Sequence, residues 1–290
     1  MSTNDFSALI GRIDKLLDKV ESTWLPQSQQ PDWQALAFLW RKPGYLQAVK
    51  HPRHAALDDL LNIDKQKALL ERNTRQFLRG LPSNNVLLSG SRGTGKSTLV
   101  RALLTKYATD GLRLIEVDRQ HLVDLPDIVD PLYGRPERFI IFTDDLSFEA
   151  GDPSYKALKA MLDGSIAAAP DNVVIYATSN RRHLMPEYHH ENRDARNVEG
   201  EIHLGEAVEE KISLSERFGL WMSFYPFKQE EYLRIVFSAL DSLRVPLVDE
   251  QTLRAEALRW ALQRGSRSGR VAQQFARDWA GRGGLETLKN

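Results

Sequence analysis

The chain has 290 residues, of which 42% are apolar, 9% aromatic and 27% charged, ordinary proportions for a folded globular protein. Its 39 basic and 39 acidic side chains cancel, so no whole-molecule field draws it to nucleic acid or to an anionic membrane. There is no cysteine, which excludes disulfides, cysteine-ligated zinc, iron–sulfur clusters and thiol catalysis.

The first fifty residues read as a helical preamble. Met1 to Asp14 is polar and broken by charge, unlike a signal peptide. Leu9, Ile10, Ile13, Leu16, Leu17 and Val20 recur at helical spacing. After a Gln/Ser-rich joint between Pro26 and Pro31, a second apolar stretch over residues 33–40 stops at Lys42-Pro43-Gly44. From about Ala55, short apolar strands alternate with amphipathic helices, the pattern of a parallel α/β sheet. The predicted helices are 57–78, 96–109 and 155–168; the predicted strands are 85–89, 113–117, 138–143, 172–177 and 220–224. Residues 187–210 form a polar insertion. After Pro226 the pattern turns helical, over 229–243, 249–264 and 268–279. No apolar run approaches the length of a membrane span, so a cytoplasmic protein is expected.

The strongest local signal is Gly90-Ser91-Arg92-Gly93-Thr94-Gly95-Lys96-Ser97, which follows an apolar strand and opens a helix. Glycines in this position let backbone N–H groups curl around a phosphate, and the positive helix N-terminus begins at the same point. Lys96 reaches the β- and γ-oxygens, and Ser97 offers its hydroxyl to Mg²⁺. The phosphate-binding set is therefore Gly90, Ser91, Arg92, Gly93, Thr94, Gly95, Lys96, Ser97 and Thr98. Downstream, the strand 139–142 ends in Thr143-Asp144-Asp145. Asp144 is placed to hold Mg²⁺ and Asp145 to polarise the attacking water. Asn180 closes the next strand. It either caps the helix that follows or, if its strand lies between the loop strand and the acid strand, stands beside the γ-phosphate.

These motifs, with Leu57 to Asp64 before the loop and Ser215-Glu216-Arg217-Phe218 near the end of the core, occur in the order of an AAA+ ATPase. The resemblance covers about residues 55–280. More narrowly, residues 177–184 and 209–220 resemble a bacterial AAA+ family of unknown function. The resemblance implies a P-loop parallel-sheet core with a C-terminal all-helical lid and a short N-terminal helical region. The expected division is 1–50 for that region, 51–226 for the nucleotide-binding core and 227–290 for the lid. It also implies ATP and Mg²⁺, a homo-oligomeric ring or partial ring, and an unidentified protein partner to be remodelled or signalled to.

By the same resemblance Ile63 packs against adenine, and Asn180 is the first sensor, orienting the water. Arg217 is the arginine finger reaching a neighbour's site, and Arg270, rather than Arg267, is the second sensor. One departure stands out: the family acid pair is usually Asp-Glu, and here it is Asp144-Asp145. The shorter second acid favours slow, switch-like turnover, because about 1 Å of misplacement costs on the order of 10²-fold in rate. Residues 185–216 carry nine acids against three bases with His189, His190 and His203, in no metal-ligand spacing; a solvated, flexible loop is expected there in preference to a metal site, with a partner surface as its further use. Residues 251–290 carry eight bases and three acids. A DNA-directed loader is a rival reading; it would need an insertion or winged-helix DNA module, and neither is visible in the residues after the lid.

Overall fold

In the computed structural model the described residues are 31–148, 152–163, 170–180, 196–198, 201–203, 214, 216–245 and 249–287. Strands β1 (Ala37–Arg41) and β2 (Tyr45–Ala48) come first, then helix α1 (Asp64–Leu78). The core continues through β3 (Val86–Gly90), α2 (Lys96–Tyr107), β4 (Leu112–Glu116), α3 (Leu125–Val129), β5 (Arg138–Thr143), α4 (Pro153–Leu162) and β6 (Val173–Ser179). Two short strands, β7 (Arg196–Val198) and β8 (Glu201–His203), pair antiparallel as a separate hairpin. Then come β9 (Leu220–Phe224) and three helices, α5 (Gln229–Ser242), α6 (Glu250–Gln263) and α7 (Gly269–Thr287).

The seven-stranded sheet runs β2-β1-β4-β5-β6-β3-β9, and every pairing is parallel except β1 with β2. Central strands buried on both faces need continuous apolar runs rather than alternation, and Phe139 to Phe142 are all fully buried. Side chains of one parity face one core. Leu88, Ile140, Phe142 and Tyr176 pack with Leu70 and Phe77 of α1, Leu99 and Leu103 of α2, and lid residues such as Tyr232 and Phe275. Those of the other parity, Leu87, Phe139, Ile141 and Ile175, meet Ile128 of α3 and Leu158 of α4. The Tyr176 hydroxyl, deep in the first core, is bonded by Asn73 at 3.1 Å and Thr74 at 2.9 Å. No buried oxygen is stranded there.

The N-terminal stretch departs from expectation. Residues 33–40 were expected to be helical, yet Ala37 to Arg41 is a strand paired in parallel with β4, and β2 folds back on it. The physical reason is alternation. Phe38 and Trp40 point into the second core, and the Trp40 indole N–H donates to Asp124 at 2.9 Å. The Lys42-Pro43-Gly44 turn is thus a hairpin, with Gly44 at φ 133°, and not a helix stop. The earlier predicted helix, over residues 9–20, lies outside the described residues.

Elsewhere the corrections are to boundaries. Helix α1 begins at Asp64 and not at residue 57, because turns and a left-handed Asn62 (φ 64°) precede it. Helix α4 begins at Pro153, capped by the Asp152 carboxylate, which accepts from the Ser154 N–H at 2.9 Å. Of the polar insertion only the β7 and β8 strands are described. No helix among the described residues is long and apolar enough to cross a membrane.

Candidate functional site

The site is built where β3, β5 and β6 end side by side, since β6 lies between the loop strand and the acid strand. The loop from β3 to α2 has its glycines where no other residue fits. Gly90 sits at φ 125°, and a Cβ there would lie 2.0 Å from the Phe224 carbonyl oxygen. That carbonyl accepts from the Ser91 N–H at 3.0 Å, so β9 braces the start of the loop. Gly95, left-handed at φ 98°, turns the chain into α2. The Thr94 hydroxyl donates to the Ser91 carbonyl at 2.8 Å and closes the loop on itself.

Lys96 is buried, and its ammonium donates to the Gly90 and Ser91 carbonyls at 2.8 Å each and to Asn180 Oδ1 at 3.1 Å. Burial pulls its pKa down to about 8; the nearby Asp144 and Asp145 oppose the shift, and Arg270 and Arg92 add to it. The Ser97 hydroxyl donates to Asp144 Oδ1 at 2.5 Å. The same oxygen accepts from the Thr178 hydroxyl, also at 2.5 Å. Thr178 Oγ1 in turn accepts from the Asp145 N–H at 3.0 Å. Asn180 Nδ2 donates to Asp145 Oδ1 at 2.6 Å. Asp145 stands at φ 55°, a left-handed conformation that costs a non-glycine residue about 1–3 kcal/mol. The bonds from Asp145 to Thr178 and Asn180, and from the Leu146 N–H to the Thr178 carbonyl at 2.6 Å, hold it there.

These groups open into a cavity of about 980 Å³. Its wall takes in residues 92–98 of the loop and α2, the acids Asp144 and Asp145, Asn180, and Arg270 of the lid. An apolar part of the wall comes from Leu60, Leu61, Phe227 and Ile235. Serine hydroxyl and carboxylate oxygens meeting at one point suit a hard divalent cation such as Mg²⁺, and Ser97 with Asp144 supplies that set. No group of three or more His, Cys, Asp or Glu side chains placed to hold a metal occurs among the described residues, so a cation at Ser97 and Asp144 would complete its shell largely with water or phosphate oxygens.

Not every expected residue lines the cavity. Ile63 is buried below Gly95, and the wall beside it is made by Leu60 and Leu61. Arg270 reaches the wall and Arg267 does not; the Arg267 backbone carbonyl instead accepts from the Phe227 N–H at 3.2 Å. Arg217 lies away from this cavity. It precedes β9, whose first residue pairs with Val86 at the start of β3, and it is ion-paired with Asp163 after α4. Sequence reasoning missed Thr178, although the period of two puts it on the same side of β6 as Asn180. It also missed Arg101, one turn beyond Ser97 on α2, and the Gln273 and Arg277 that follow Arg270 along one face of α7.

The lid is seated directly on the loop. The Gly93 carbonyl accepts from the first N–H groups of α7, those of Gly269 at 2.8 Å and Arg270 at 3.4 Å. A Cβ on Gly93 would lie 2.8 Å from the Ser268 hydroxyl, so this approach requires glycine.

The fold is that of AAA+ proteins. The branch migration motor of Holliday junctions from Thermotoga maritima, RuvB, is similar at 17% identity and a TM-score of 0.50, over 77% of this chain and 63% of that one. A point mutant of the same motor is similar at 15% identity and a TM-score of 0.53, over 81% and 67%. This chain thus spans less than two thirds of the first motor's length, and the likeness is one of fold. No curated protein matches it. The family described as "Protein of unknown function (DUF815)" matches residues 33–283, nearly the whole described chain, and the protein belongs to that family.

Proposed function

We propose that the protein binds ATP with Mg²⁺ and hydrolyses it at subunit boundaries of a homo-oligomer, using the energy to remodel or signal to a protein partner. One observation carries the reading: Lys96, Ser97, Asp144, Asp145 and Asn180 are joined, through Thr178, by hydrogen bonds of 2.5–3.1 Å around a glycine loop that opens a helix. Phosphoryl transfer asks a protein mainly for positioning and charge neutralisation, and this cluster offers both. Lys96 would exchange its bonds to the Gly90 and Ser91 carbonyls for phosphate oxygens. Ser97 and Asp144 would hold Mg²⁺, which supplies neutralisation of charge across the β- and γ-phosphates. Asp145 would take the proton side of the attacking water while Asn180 orients it. Arg270 would bring the lid onto the phosphates, with Leu60, Leu61, Phe227 and Ile235 as the apolar bed for the base.

Arg217 belongs to a neighbour's site in this reading. The four steps of register from Val86 to Gly90 correspond to about 13 Å of sheet at about 3.3 Å per residue, which separates Arg217 from its own loop.

A second reading, a slow ATP-dependent binding switch, is favoured by Asp145 itself. Its carboxylate is one methylene shorter than the usual glutamate, its backbone is left-handed, and its Oδ1 is already engaged by Asn180.

Nucleotide titration and phosphate release on four variants test the proposal. Lys96→Ala should abolish tight ATP binding with the fold intact. Asp145→Asn should keep affinity and lose turnover, whereas Asp144→Asn should weaken Mg²⁺-dependent binding as well. Asp145→Glu should raise turnover if the short side chain is what slows it. Unchanged ATP affinity in Lys96→Ala would overturn the proposal.

A further inference from the structure

Asp144 uses only one of its oxygens in the bonds described above. Oδ1 accepts from both Ser97 and Thr178; Oδ2 lies 3.7 Å from Arg101 Nη2. The same guanidinium nitrogen is 3.6 Å from Glu116 Oε2, at the end of β4. Arg101 therefore stands midway between two carboxylates, at ion-pair distance from each and in tight contact with neither. Its guanidinium also lies 5.8 Å from the centre of the Phe142 ring, within cation–π distance. There is also room on the Glu116 side. A second cavity of about 290 Å³, between residues 37–39 and the segment 49–53, is walled by both Arg101 and Glu116.

Arg101 already places one positive charge beside Asp144. A divalent cation held by Ser97 and Asp144 would repel it, and Glu116 offers a partner at almost the same distance without any backbone movement. We propose that Arg101 is a positioning residue that sets how much divalent cation the site requires, holding Asp144 when the metal is absent and passing to Glu116 when it arrives. The inference rests on the nucleotide reading of this cavity. Its physical content is competition: removing Arg101 frees Asp144 for the metal, and removing Glu116 leaves Arg101 no other partner and ties it to Asp144. The two substitutions therefore act in opposite directions. A half-exposed ion pair of this kind moves an equilibrium by about two- to five-fold.

The test uses the full chain and two titrations. In the first, MgCl₂ is varied at fixed fluorescent ADP analogue, and the midpoint for nucleotide binding is read. Arg101→Gln should lower that midpoint two- to five-fold, Glu116→Gln should raise it by a similar factor, and Arg101→Lys should stay near the parent. In the second, Mn²⁺ alone is titrated and followed by electron paramagnetic resonance, with tighter binding expected in Arg101→Gln and weaker binding in Glu116→Gln. Midpoints that stay fixed, or that shift in the same direction in both variants, overturn the inference, even if both melt earlier than the parent. If the parent bound no nucleotide at any Mg²⁺ concentration, the proposed function would fail. The Mn²⁺ titration would still decide the role of Arg101.

Discussion

Burial holds the Lys96 ammonium near a pKa of about 8, far below the 10.5 of a free lysine, while its bonds to Gly90, Ser91 and Asn180 keep it aimed at the cavity. The sign of the consequence is definite. The folded chain binds this proton less tightly than the unfolded chain, so it loses stability at neutral pH and recovers it as pH rises from about 8 toward 10.5. A phosphate beside the ammonium restores its proton affinity. ATP binding should therefore be insensitive to this group below pH 8, weaken by up to about tenfold per unit above it, and take up a proton at pH 9. Calorimetry in two buffers of different ionisation enthalpy measures the uptake; none at pH 9 would mean that Lys96 does not meet the phosphates. The residues legible in the sequence were those fixed by local spacing: Lys96 and Ser97 by the loop, Asp144 and Asp145 by a strand end. Thr178 and Arg101 were not legible, because their roles depend on which strands lie side by side and on how a helix face is turned. Ile63, given to adenine by the resemblance, does not line the cavity, because adjacency in sequence does not decide which of Leu60, Leu61 and Ile63 faces it.

Among the elements, the β1–β2 hairpin was the largest departure. An apolar stretch of eight residues is ambiguous between helix and strand, and only the available edge of β4 resolves it. The long strands β5 and β6 were legible because continuous apolar runs of that length, bounded by polar residues, have few alternatives. We expect the hairpin to belong to the core and not to a detachable preamble. A chain shortened to begin at residue 51 should lose the burial of Phe38 and Trp40 and leave the edge of β4 open, giving oligomers or aggregates in light scattering. A monodisperse shortened chain with the parent's melting temperature would contradict this. Within the full chain, Trp40→Ala should cost about 3–5 kcal/mol in denaturant unfolding, since it removes a buried aromatic and orphans Asp124. Gly90→Ala should be at least as damaging, because the added methyl meets the Phe224 carbonyl, part of the neighbouring strand's backbone, and no flexible side chain.

For the molecule as a whole, the open question is whether one chain holds a complete site. Arg217, remote from its own loop along the β3–β9 register, is the group that decides it. Arg217→Ala should bind ATP nearly as the parent does and hydrolyse it far more slowly, by up to the roughly 10³–10⁵ that arginine fingers contribute elsewhere. Mixing Arg217→Ala with Lys96→Ala should restore part of the activity, since some boundaries in a mixed assembly pair an intact loop with an intact arginine. No recovery despite demonstrated co-assembly would assign Arg217 to its own subunit, where its ion pair with Asp163 already gives it a structural task. The bond between the Gly93 carbonyl and the head of α7 bears on the same question from inside the chain. The nineteen-residue α7 is tied by its first turn to the loop that would grip the phosphates, while Val271, Ala272, Phe275 and Ala276 seat it in the first core. In the proposed reading, a phosphate that shifted the Gly93 peptide would disturb the seating of α7, so that loop and lid would answer together to the bound nucleotide. Deuterium uptake at the Gly269 and Arg270 amides should consequently differ between ATP-analogue and ADP states, before any change is seen in the sheet.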